Sequence, residues 1–154
     1  MMLSKSADYG LRALIHLARR PGNEFVSLPE LASAIRTPPY FLGRVLHRLV
    51  RAEILVSVPG HNGGFRLQRD PRRIHVAEAV HGIDGPLRTF DCSATTPCGL
   101  ANGCGVVALF AKAGKAFEAV LSATTIADLA THASASELVA FVSSEATDSI
   151  HGGC

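Results

Sequence analysis

The chain has 154 residues, 47% of them apolar and 18% charged, with a formal net charge of +2. This is enough apolar material for one compact core with a helical appendage, which excludes a disordered chain, and no run of eighteen apolar residues is present to cross a membrane. The small net charge hides a segregation: residues 1–75 hold twelve Lys and Arg against five Asp and Glu, whereas residues 76–154 hold three against eight. The front half therefore reads as a nucleic-acid-binding surface and the back half as something else.

Ala7, Leu11, Leu14, Ile15 and Ala18 recur at helical spacing behind Ser4 and Ser6, either of which can cap, and Pro21-Gly22-Asn23 ends this first helix. Ser27-Leu28-Pro29-Glu30 has the form of a capping box with a first-turn proline and predicts a second helix over 28–34. Thr37 offers the next cap and Pro38 the next first-turn proline. The helix they open buries Phe41, Leu42, Val45, Leu46 and Leu49 and shows Tyr40, Gly43, Arg44, His47, Arg48 and Arg51 on its other face. Two short helices joined by a tight turn, the second of them basic, describe a helix-turn-helix.

Residues 54–58 and 65–69 then read as two strands around Pro59-Gly60-His61-Asn62-Gly63-Gly64, a hairpin with a glycine-rich tip, the wing of a winged helix. Asn62 and its glycine neighbours let backbone amides approach a phosphate or enter a minor groove. Because this loop opens no helix, a P-loop or dinucleotide site does not fit. Arg44, His47 and Arg48 are the expected groove-facing set, with Tyr40 and Arg66 on the DNA backbone or flanking positions.

A short helix over 74–83, closed by Asp84-Gly85-Pro86, leads to Cys92, Cys98 and Cys104, each separated from the next by five residues in a Gly-, Thr- and Pro-rich stretch. Three thiolates on one loop can close on one metal centre and leave a position open, where a cluster meets small reactive molecules. A zinc knuckle, which usually has closer ligand pairs and four good ligands, is the alternative. Met1-Met2-Leu3-Ser4-Lys5 has no signal-peptide core behind it, so a reducing cytoplasm, where disulfides have little reason to form, is expected. Use of Cys98 as an enzymatic nucleophile lacks a paired base with local support. From Gly105 an apolar stripe of roughly twenty residues is too long for the small remaining domain to cover and predicts a homodimer. Such a dimer sets two recognition helices one DNA turn apart on a palindromic operator. Residues 125–129 make a last capped turn, 134–146 form an Ala- and Ser-rich tail, and Cys154 is read as idle.

Asp8-Tyr9-Gly10-Leu11-Arg12-Ala13-Leu14, the Asn62-Gly63-Gly64 wing and the three evenly spaced cysteines before a long helix together resemble the NsrR/IscR/RirA group of winged-helix iron-sulfur transcription regulators, over residues 1–131. The resemblance implies a dimeric DNA-binding repressor, not an enzyme. It also implies a crossing dimerisation helix and an iron-sulfur cluster, 4Fe-4S with 2Fe-2S as the alternative, held by Cys92, Cys98 and Cys104 near the partner's first helix. Val107 stands where the IscR-like branch places a histidine ligand. The opening segment is similar to the nitric-oxide-sensing NsrR-like branch, in which an acidic residue of the opposite subunit completes the site, and Asp8 matches that position; the RirA-like, iron-responsive branch is the second choice. Glu53 replaces a common glycine of the family, and Pro59 and His61 stand where it often has basic residues.

The expected architecture is mainly α with a small β-hairpin wing: a winged helix-turn-helix domain over 1–83, a cysteine loop over 84–104, a dimerisation helix and capping turn over 105–131, and a tail over 132–154.

Overall fold

A computed structural model of the chain describes residues 3–60, 63–87 and 104–131. Helix α1 (Lys5–Ala18) begins at Ser4, whose hydroxyl accepts the Ala7 amide at 3.0 Å, and buries Ala7, Ala13, Leu14 and Leu17. Helix α2 (Leu28–Ala34) has the bounds that the capping pattern predicts, with Ser27 Oγ accepting from the Glu30 amide. The reciprocal half of the box is not made, because the Glu30 carboxylate pairs with Arg20.

Helix α3 (Pro39–Arg51) starts one residue later than the Thr37-Pro38 pattern indicates. Thr37 is buried and does not cap: its amide donates to the Ala32 carbonyl at 2.9 Å and closes the end of α2. Pro38 is the cap residue and Pro39 opens the first turn, where a missing amide costs nothing. Leu42, Val45, Leu46 and Leu49 enter the core, while Phe41 is half-buried and meets Tyr9 edge-on, with ring centroids 5.7 Å apart. Gly43, expected on the outer face, is buried against Leu28.

Both helices of the motif end alike. Arg36 (φ 54°) and Glu53 (φ 57°) take the left-handed conformation just past α2 and α3. After α2, Arg36 donates to Ser33 and Thr37 to Ala32; after α3, Glu53 donates to Val50 and Ile54 to Leu49. These are paired C-terminal bonds of the Schellman type, normally built on glycine, and they explain why a glycine suits the position of Glu53.

Strands β1 (Leu55–Val58) and β2 (Gly64–Leu67) form the antiparallel wing, with Leu55 opposite Leu67 and Val58 opposite Gly64. The strands are shorter than the sequence pattern because Ile54 is spent closing α3 and the chain turns at Asp70 into a 3-10 turn, Pro71–Arg73. Val26 adds a bridge to Phe65 at the base of the hairpin. Gly64 is required there, since its φ is 150° and a Cβ would lie 2.2 Å from the Val26 carbonyl oxygen.

Helix α4 (Val76–Asp84) buries Val76, Ala77, Ala79, Val80 and Ile83. It begins two residues later than expected because the Ile74 carbonyl accepts from the Ile126 amide, 2.8 Å away, while the Val76 amide donates to Thr124 at 2.9 Å. Helix α5 (Gly105–Ala123) runs for 19 residues and buries none of them. Helix α6 (Ile126–Thr131) is capped reciprocally by Thr125 and Asp128 and returns to α1, with Ile126 fully enclosed in the same core as Leu14, Leu46 and Ile74. Residues 126–131 therefore pack with the DNA-binding body. No helix of the described residues is long and apolar enough to cross a membrane.

Candidate DNA-binding face and cysteine site

The second helix of the turn presents Tyr40, Arg44 and His47 along one exposed stripe, with Tyr40 80% exposed. The spacing i, i+4, i+7 places them on one face, and the core leucines of α3 hold that face outward. His47 is braced by the wing, its ring meeting Phe65 edge-on at 5.7 Å. Arg66, half-buried on β2, is held with its guanidinium over the Phe25 ring, 5.0 Å from the centroid. A groove lined by Ser27, Pro29, His47, Val58 and Gly63 separates the start of α2 from the wing. Asn62 lies outside the described residues.

Arg48 differs from its neighbours. It is half-buried, and its Nη1 donates to the Ile83 carbonyl at 2.9 Å, on the last turn of α4. Periodicity places it on the basic side of α3; only the fold shows where its guanidinium goes.

Asp8 sits in the first turn of α1, half-exposed, with Oδ1 2.9 Å from Arg12 Nε. It lines a cleft with Tyr9, Arg12, His16 and Arg36, between α1 and the end of α2. His16 Nε2 is buried there without a hydrogen-bond partner, and burial, followed by the nearby Arg20 charge, lowers its pKa below the ordinary histidine value. Sequence reasoning passed over His16; a polar residue next to the apolar stripe of α1, two turns from Asp8, was the available signal.

Cys104 is the N-cap residue of α5, half-buried, with a free thiol. Cys92, Cys98 and Cys154 lie outside the described residues, and so does the tail. Among the described residues no three potential ligands gather into a metal-holding group. The expected site residues are thus split, with Asp8 on α1, Cys104 on α5, and the DNA-facing set on α3 and the wing.

A helix-turn-helix with a buttressing hairpin, three helices behind it and an uncovered long helix define a winged helix-turn-helix regulator. The chain belongs to the Rrf2 family, whose model, described as an iron-dependent transcriptional regulator, matches residues 3–132. It is 30% identical over 131 residues to the HTH-type transcriptional regulator NsrR of Shouchella clausii, covering 84% of this chain and 88% of that one. Among solved structures it resembles CymR, the global cysteine regulator of B. subtilis, at 25% identity and TM-score 0.72, covering 87% of this chain and 99% of that one. It also resembles T. potens IscR at 28% identity and TM-score 0.66, covering 90% and 96%. The resemblance drawn from Asp8–Leu14, the wing and the cysteine spacing holds, and the chain is a transcriptional regulator of NsrR-like type, not an enzyme.

Proposed function

We propose that the protein is a homodimeric repressor that binds a palindromic operator and answers nitric oxide through an iron-sulfur cluster, 4Fe-4S in type, held by Cys92, Cys98 and Cys104 with Asp8 of the partner subunit as the fourth ligand. The observation that carries this reading is the place of Cys104. The last of three evenly spaced cysteines stands at the cap of α5, half-buried, with a free thiol that makes no capping bond to the helix. The donor set also fits: three soft thiolates and one exposed carboxylate match an iron-sulfur site better than a closed zinc site. The names of the NsrR and IscR relatives point the same way.

Bound there, a cluster would supply ferrous iron, for which nitric oxide is a strong ligand. The protein's own residues do the rest. Tyr40, Arg44 and His47 present α3 to the major groove; Arg66 and Asn62 bring the wing to the backbone. Arg12 holds the Asp8 carboxylate in place at the surface. The apolar stripe of α5, with Val106 and Leu109 50% and 64% exposed, supplies the dimer contact that fixes half-site spacing. The iron-responsive reading is favoured by one observation, the family's description as iron-dependent.

Anaerobically purified protein tests this directly. Wild type and Cys154→Ala are expected to be brown with matching iron and sulfide, while Cys92→Ala, Cys98→Ala and Cys104→Ala are colourless. Stoichiometric nitric oxide is expected to abolish operator binding before a chelator does. Colourless wild-type protein with stoichiometric zinc overturns the cluster, and release by chelator but not by nitric oxide replaces the signal with iron. In the same assay Arg44→Ala is expected to weaken operator binding by about 1–3 kcal/mol.

A further inference from the structure

We infer that Arg48 is a positioning residue that couples the cysteine segment to the recognition helix, by tying α3 to the final turn of α4. The inference rests on the sensing role proposed above and adds the path by which the signal travels.

The final turn of α4 is the meeting point of the fold. Ile83 offers its carbonyl to Arg48 Nη1 at 2.9 Å, in the last turn of the helix, where the helical ladder runs out of amide donors. A guanidinium suits that end of the helix, where the backbone dipole is negative. One residue on, Asp84 Oδ1 accepts from Ser4 Oγ at 2.7 Å, so the cap residue of α1 grips the same turn. His81 Nε2 stands 3.2 Å from Glu118 Oε2 and links the turn to α5. Packing reinforces these bonds: a Cβ on Gly10 would lie 2.3 Å from Ile83 Cδ1, and one on Gly82 would lie 2.7 Å from Ala52 Cβ, just past α3.

One helical turn thus touches α1, α3 and α5, and Cys92 follows it in the sequence. The chain returns from Cys104 into α5, which is bonded to the same turn through Glu118. Any change in how the cysteine segment is anchored pulls on both sides of this turn. Arg48 is the one groove-side arginine of α3 whose guanidinium is committed to it. Holding the turn holds α3 in register with its half-site. Releasing it removes the acceptor of Arg48 and leaves the second half of α3 free to tilt. A terminal helical turn is a low-stability unit that can open without global unfolding.

The test uses Arg48→Met, which keeps the aliphatic stem and removes the donor, in anaerobically reconstituted and metal-stripped full-length protein. Wild type should bind operator more tightly when loaded, by a factor on the order of 5–150. In Arg48→Met that ratio is expected to collapse to about threefold or less with the salt slope unchanged, whereas Arg44→Ala weakens both forms and keeps the ratio. Hydrogen exchange at the Gly85 amide, which donates to His81, is expected to rise in loaded Arg48→Met to the level of stripped wild type. Should Arg48→Met fail to fold, Ser4→Ala loosens the same turn from α1 and is expected to reduce the ratio in the same direction. A preserved ratio with a salt slope lower by about one would make Arg48 a phosphate contact and overturn the inference. A preserved ratio with unchanged exchange at Gly85 overturns it as well. A wild-type ratio of one would strike the sensing role itself, a result distinct from a large wild-type ratio that survives in Arg48→Met.

Discussion

Helices α3 and α5 each carry an apolar stripe, and within the single chain the two stripes are treated in opposite ways. α3 places Leu42, Val45, Leu46 and Leu49 in the core and closes with two backbone bonds beyond Arg51. α5 is longer, buries no residue, and exposes Val106, Leu109 and Val120. Apolar periodicity is equally visible in both sequences. It shows that a stripe will be covered, but whether the cover comes from the same chain or from another is decided by how many elements remain to pack against it.

The sharpest break of that comparison is Leu46→Ala against Leu109→Ala. The first empties a fully buried site and is expected to cost about 2–5 kcal/mol in thermal or denaturant unfolding. The second, at a residue 64% exposed in the single chain, is expected to cost less than about 0.5 kcal/mol at concentrations where the protein is monomeric. Leu109→Glu then separates the two kinds of cover. Sedimentation should show the dimer dissociation constant raised by about tenfold or more, with a fold that survives. An unchanged dimer would move the interface off this stripe.

A smaller effect lies in α1, which packs against α3 and α6 from the core side. His16 has a pKa lowered by burial first and by Arg20 second. Its folded pKa lies below its unfolded value, so the unfolded chain binds the extra proton. The stability His16 contributes is complete above about pH 6.5 and is lost as pH falls from there through the depressed folded value. His16→Leu should flatten that part of the stability profile, measured by denaturant unfolding between pH 7.5 and pH 5. A slope identical to wild type would remove His16 as its source.

A small change of the opposite sign is expected from Glu53→Gly. Glu53 holds φ 57° at the exit of α3, a conformation that costs a side-chain-bearing residue about 1 kcal/mol. Glycine there should raise the melting temperature by a few degrees without altering the wing.

Local chemistry explains which parts of the fold were legible. Ser27 and Pro29 defined α2 to the residue because a cap and a first-turn proline act within four residues. The start of α3 was misplaced because Thr37, a good cap by type, is claimed by the end of α2, and a pair of prolines can be entered at either member. Gly43 looked exposed by periodicity, yet it is buried because Leu28 of the neighbouring helix packs on it. The exposed stripe of Tyr40, Arg44 and His47 followed from spacing alone. The bond of Arg48 to Ile83 did not, since a long side chain can reach a partner that no sequence pattern marks. Cys104 was legible as the last of three spaced thiols, while its position as the cap of α5 became visible only with the helix in place.

The return of α6 governs the order in which the protein can be made. Ile126 completes the same core as Leu14 and Leu46, and its amide bonds the Ile74 carbonyl from across the cysteine segment and the whole of α5. On the ribosome, the winged helix-turn-helix can emerge in full and still lack its last core residue. The DNA-binding body closes only after Cys92, Cys98, Cys104 and α5 have been synthesised. A nascent or prematurely terminated chain that has a recognition helix but stops short of α6 thus lacks a finished core, so the architecture itself withholds a complete DNA-binding body until the cysteine segment and α5 have been made.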